Sequence, residues 1–235
     1  MSATVQIVAG RSCKGCTLCC KLLAISELEK PRAVWCKHCD VKAGCRIHGT
    51  HPSECKGFYC GYLTNAALDE RWAPVRSKIV LAYDELGAPR LSVHVDPSRP
   101  NAWREEPFYS QIKRWAAAAV AQRGQVIVWQ GRSTIAVLPD RDKDLGEVRP
   151  DQFIITSAKD GPQGTTLDVF VVDKDDPIAQ SLGTGKAAPA SERASPHRNG
   201  PTQPPSGDTD DRCSARSGCS TRSSCAARTW SFTCG

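Results

Sequence analysis

The chain has 235 residues, 40% hydrophobic and 24% charged, with a formal net charge of +6 and thirteen cysteines. That length suits one ordinary domain with a smaller appendage, and the composition excludes collagen-like and wholly disordered chains. No apolar run approaches the ~18 residues of a membrane-spanning helix, so no membrane partner is expected.

The cysteines fall into two clusters. Nine lie between Cys13 and Cys60, four between Cys213 and Cys234, and none between the clusters. An odd total does not suit a closed disulfide framework. The first fifteen residues lack a basic stretch before an adequate apolar one, so they do not read as a secretory signal, and a cytoplasmic location is expected. In a reducing compartment dense thiols bind metal or do redox chemistry more often than they pair.

Taken in chain order, three regions are predicted: a cysteine-rich module over residues 10–63, an α+β domain over residues 75–175, and a disordered tail over residues 176–235. In the first, Ser26-Glu27-Leu28-Glu29 fits a capped helical turn, which Pro31 keeps short. In the second, Lys78–Tyr83 and Leu91–Val95 read as strands joined by a turn at Glu85–Pro89. Phe108, Ile112, Trp115, Ala116, Ala119 and Val120 share one helical face, with Pro107 at the start and Gly124 at the stop. Further strands are predicted at Gln125–Gln130, Ser133–Leu138, Gln152–Thr156 and Thr166–Val172, the first two joined by Gly131-Arg132. The sum is a mainly antiparallel sheet with one packed helix. In the third region about half of the residues are Ser, Thr, Gly or Pro, too few apolar anchors to offset ordering entropy.

Charge supports a special environment for the first cluster. Residues 1–62 hold nine Lys or Arg and four Asp or Glu, a formal balance of +5 interleaved with nine cysteines. Nine thiolates would convert that balance to −4, and bound metal would return it toward neutral. Neighbouring cations also favour the thiolate over the thiol.

The spacing carries the chemistry. The cluster runs Cys13-x2-Cys16-x2-Cys19-Cys20, Cys36-x2-Cys39, Cys45, Cys55 and Cys60. A two-residue gap lets successive sulfurs converge on one centre, and zinc needs four such ligands in a tetrahedron. An iron–sulfur cluster also takes four thiolates, often three from a C-x2-C-x2-C loop and one from a distance. Cys13, Cys16 and Cys19 have that triplet spacing. Cys20 is free to serve a second centre, to act as a reactive thiol, or to pack inertly.

These residues resemble the YkgJ-type cysteine-cluster family, the CxxCxxCC zinc- or iron-chelating domains. The family pattern has a C-x-x-C-x-x-C-C head, here Cys13 to Cys20. It ends in a block close to C-x-I-Y-x-x-R-P-x-x-C-x-x-F-x-C, here Cys45 to Cys60 with Pro52 and Phe58 in place. His48 replaces an aromatic residue of the pattern and His51 its arginine, and either imidazole is a candidate ligand beside the thiolates. The resemblance implies a protein that chelates zinc or iron, the iron as an ion or as an iron–sulfur cluster. Its ligand pool is Cys13, Cys16, Cys19, Cys20, Cys36, Cys39, Cys45, Cys55 and Cys60.

Two alternatives stay open. A metal-dependent or redox enzyme related to protein methylation would keep an open coordination position. A zinc-ribbon-like module would bind nucleic acid with strong salt dependence. Outside the cluster, the acidic groupings are Asp84/Glu85, Asp140/Asp142/Asp144 and Asp173/Asp175/Asp176, and the latter two read as solvated carboxylates at element ends. His94 reads as a packed or solvent-facing strand residue. Trp35, Trp72, Trp103, Trp115 and Trp129 read as core and domain-contact residues. The tail cysteines Cys213, Cys219, Cys225 and Cys234 match no ligand spacing and read as outside the functional unit.

Overall fold

The computed structural model describes residues 5–13, 15–84, 89–162 and 164–179, and these fall in one compact unit. The expected disordered tail and its four cysteines lie outside the described residues, except for 176–179. There, Ala179 packs against Ile155 and Val172.

The first sixty-odd residues carry little regular structure. Helix α1 (Leu18–Leu22), the ribbon of β1 (Cys39–Asp40) and β2 (Gly44–Cys45), and helices α2 (Ser53–Lys56) and α3 (Gly61–Thr64) are each five residues or fewer. Helical turns this short do not stabilise themselves, so side chains tether them. The Arg11 guanidinium donates to the carbonyls of Tyr62, Asn65 and Leu68. The Lys21 ammonium meets the Asp96 carboxylate at 2.6 Å, joining α1 to the residue that follows Val95. The capping box expected at Ser26 does not form. Ser26–Leu28 is a single 3-10 turn whose cap is Ile25, and Glu29 is left-handed with φ of 50°. The Ser26 N–H donates instead to the Glu54 carboxylate at 2.7 Å.

After α4 (Pro74–Ser77), strands β3 (Ile79–Asp84), β4 (Arg90–Val95), β5 (Gln125–Gln130), β6 (Ser133–Val137) and β7 (Asp142–Gly146) form one sheet in sequence order. Helix α5 (Phe108–Val120) lies between β4 and β5 in the chain. Three pairings are antiparallel, as expected. The β4–β5 pairing is parallel, because the chain crosses over through α5 before returning to the sheet. Strand β7 has no counterpart in the sequence reading. Its DKDLG sequence lacks the β-branched residues that mark strands, and it lies at the sheet edge where polar residues are tolerated. A separate hairpin of β8 (Gln152–Gly161) and β9 (Gly164–Asp173) extends both of its predicted strands toward the turn.

The pleat separates two buried faces. The cross-strand row Leu81, Val93, Val128 and Ile135 points one way, and the row Val80, His94, Trp129 and Thr134 points the other. On the second face the hairpin packs Ile154, Leu167 and Val169 onto Ile127, Trp129 and Ala136. Farther along the same face, Leu18 and Leu22 of α1 pack onto Val80. Helix α5 packs against β5 and β6. Its apolar stripe is buried from Phe108 to Ala119, with Val120 half-buried, and Trp115 and Phe108 both lie against Trp72 at ring separations of 5.1 and 4.8 Å.

Two readings of single residues change. Asp142 is not a solvated carboxylate: its side chain is 11% exposed and accepts from Arg104, Lys113 and Tyr109, latching α5 and the turn before it to β7. Trp35 is not core. It is 39% exposed, and the Lys21 ammonium lies 5.6 Å from its ring. The other four tryptophans of that group are buried. Among the described residues no helix is long and apolar enough to cross a membrane.

Candidate metal centre

The cysteine segment is wound by backbone hydrogen bonds that close on the cysteines themselves. The Cys16 N–H donates to the Cys13 carbonyl and the Cys39 N–H to that of Cys36, each at 3.0 Å, so both C-x2-C stretches are tight turns. The Cys36 N–H donates to the Cys20 carbonyl at 3.0 Å, fastening the second turn to the end of the first motif. Cys39 and Cys45 face each other across the β1–β2 ribbon. Cys55 lies in α2, and Cys60 sits at the N-cap of α3.

These tethers bring the distant cysteines together. A cavity of about 470 Å³ is lined by eight of the nine, all but Cys39, and by both His48 and His51. Cys39 is tied to the group electrostatically, since the neighbouring Cys20 contributes to its raised pKa. Leu23, Ile25, Leu28, Ile47, Phe58 and Val80 supply an apolar remainder to the wall. His48 and His51 stack at 4.9 Å, and His51 Nδ1 accepts the Gly49 N–H at 2.9 Å, which leaves its other nitrogen as the potential donor.

The sulfurs divide into two neighbourhoods that overlap at Cys20. Cys16 and Cys60 pack together beside Leu18, Leu22 and Val80, and Cys13 feels the charges of Cys60, Cys16 and Cys20. Cys39 and Cys55 each feel Cys20, Cys36 and Cys45 instead. Burial and then the neighbouring Cys20 charge push Cys39 up to about 12. Burial is also the first cause of the raised values at Cys13, Cys55 and Cys60, whereas Cys20 is raised chiefly by its hydrogen bond to Cys19. Expected cationic support is present at one point missed by spacing alone. Lys30 is 7% exposed, and its ammonium donates to the carbonyls of Lys21, Leu23 and Pro31, where it favours the Cys20 thiolate. Burial lowers its own pKa, and the thiolates oppose that shift. One cation does not outweigh mutual repulsion among so many thiolates.

Among the described residues no three His, Cys, Asp or Glu side chains already stand in coordination geometry. The fit to a metal is therefore judged on the donor set, eight thiols and two imidazoles gathered around one cavity. Those are the soft donors that zinc and iron–sulfur centres take, in more than the four that one centre needs. The chain matches no protein-family model, no curated protein and no solved structure.

Proposed function

We propose that this protein binds zinc or iron, the iron as an ion or an iron–sulfur cluster, through the thiolates of its N-terminal cysteine segment. The observation that carries the reading is the convergence of eight cysteines, from positions 13 to 60, on a single cavity. Free cysteine otherwise behaves as a small buried hydrophobe, and nothing in such packing requires eight of them to face one space. The C-x2-C-x2-C-C head and the Cys45–Cys60 block, which resemble the YkgJ-type pattern, support the same reading. Cys13, Cys16 and Cys60 would serve one centre and Cys36, Cys39, Cys45 and Cys55 another, with Cys19 and Cys20 between them. A bound cation would supply the charge that Lys30 alone does not, and His48 and His51 would serve as supplementary donors.

The test is anaerobic purification of the full chain with elemental analysis, sulfide determination and a visible spectrum. Zinc with a featureless visible spectrum selects the zinc form. Iron with acid-labile sulfide selects the cluster form. If neither metal accompanies the protein or rebinds near stoichiometrically, the reading fails.

A further inference from the structure

A second cavity of about 390 Å³ lies on the sheet face that α1 and the β8–β9 hairpin share but do not fill. Its floor is built by register: Asp84 and Arg90 are paired across β3 and β4, and Ser92 and His94 follow on the same face. Trp129 on β5 lies beside His94. Its roof includes Arg32, from the loop after Pro31. The volume falls in the range of small-molecule sites, about 300–1,000 Å³.

The polar groups here are unevenly satisfied. Arg90 is committed to the fold: its Nε donates to Gln125 at 2.9 Å and its guanidinium to the Ile154 carbonyl at 3.2 Å. Arg32 is not. Its guanidinium lies 3.7 Å over the Trp129 ring, and it makes no hydrogen bond or ion pair among the described residues. A guanidinium stacked on an indole keeps its N–H fork free at the edge, the arrangement that receives a planar oxyanion through two bonds. Below it, His94 is 9% exposed, and its Nδ1 is buried without a partner. A buried polar atom left unpaired destabilises the fold, and a ligand's hydrogen bond would remove that cost.

We propose that this cleft binds a small organic carboxylate bearing an amino or hydroxyl group, its carboxylate on Arg32 and its second group on His94 Nδ1 and Asp84. Asp84 already accepts from Ser92 at 3.2 Å and retains acceptor capacity. With Asp84 and Glu54 both on the wall, a phosphate dianion is repelled where a monoanion with a donor is matched. The cleft shares Leu23, Ile25, Glu54 and Phe58 with the cysteine-lined cavity, so an occupant lies one layer of side chains from the thiols. The proposal does not depend on a metal being bound.

The test titrates the full chain with glycolate, glycine, acetate and inorganic phosphate, following the Trp129 indole N–H by NMR, assigned with Trp129→Phe. Glycolate or glycine should shift that signal saturably, with acetate weaker by about fivefold or more for want of a second group and phosphate weaker still. Arg32→Gln should weaken binding by about tenfold or more with the metal content unchanged. Should that variant not fold, Arg32→Lys keeps the charge but not the planar fork, and the same weakening is expected. No saturable shift from any carboxylate into the tens of millimolar, tighter binding of phosphate, or full affinity in the Arg32 variant overturns the assignment.

Discussion

Strands β4 and β5 are buried along almost their whole length, and every α5 residue of the predicted stripe from Phe108 to Ala119 is covered. Between Cys13 and Cys60, by contrast, the buried apolar side chains are Leu18, Leu22 and Ile25. The sheet region stabilises itself through contacts that apolar burial supplies at about 1.5–3 kcal/mol per large side chain. Three such residues do not offset the ordering of a loop-rich segment, which costs about 1–2 kcal/mol per residue in backbone entropy alone. Two chemistries therefore share one compact unit. The sheet folds by exclusion of water; the cysteine segment needs its docking on Val80, its tethers to Asp96 and, on the proposed reading, a cation among its thiols.

The sharpest way to break that contrast is to remove the metal. Coordination by a structural zinc contributes about 10–16 kcal/mol of apparent folding free energy in small domains. Chelation under anaerobic conditions should accordingly raise amide hydrogen exchange across residues 13–60 toward unprotected rates. Exchange in β4 and β5 should remain slow. If residues 13–60 keep their protection after the metal is gone, docking on the sheet is sufficient, and the two regions are held by the same burial of apolar surface.

The boundary between the regions follows what was visible in the sequence. The α5 stripe and the apolar runs of β3 to β6 are local patterns, and they survive folding unchanged. The parallel β4–β5 pairing is non-local, and short-range patterns do not encode which strands meet after a helix. Strand β7 was hidden because its Asp142 and Asp144 read as solvent-facing, yet Asp142 is the acceptor that holds Arg104, Lys113 and Tyr109. In the candidate site, the two C-x2-C turns were legible because ligand spacing is itself local. The meeting of Cys20 with Cys39, the burial of Lys30 and the seat of Arg32 on Trp129 depend on the loop path, which no spacing rule describes. Trp35 failed as a core residue for the same reason.

A smaller effect tests the seam between the regions. Gly61 begins α3 directly beside β3, and a Cβ there would lie 2.9 Å from Leu81 Cβ and 3.0 Å from Tyr83 Cε2. Leu81 Cβ moves only with its strand, so Gly61→Ala should destabilise the chain by about 1–3 kcal/mol through overpacking. Helix propensity acts in the opposite direction, favouring Ala by about 1 kcal/mol. A denaturant midpoint that falls, with faster exchange in residues 55–64, fits a seam closed by contact. A midpoint that rises would show that propensity wins and that α3 is not pressed against the sheet.

The smallest expected effect concerns acid, and it probes the sheet side of the seam. Burial, with Arg32 nearby as the second cause, lowers the His94 pKa to about 3, against about 6.5 for an unfolded histidine. Above pH 6.5 the residue is neutral in both states and contributes its full share of stability. As pH falls below that value the unfolded chain takes up a proton that the folded chain refuses, so stability is lost progressively toward pH 3. The slope approaches about 1.4 kcal/mol per pH unit. Between about pH 6.5 and 5 most carboxylates remain ionised in both states, which isolates the histidine contribution. Urea midpoints across that window should decline in the parent chain and decline less in His94→Gln, which cannot take up the proton in either state. Equal slopes in the two chains would place the acid sensitivity elsewhere and would mean that His94 reaches water through the cleft beneath Arg32.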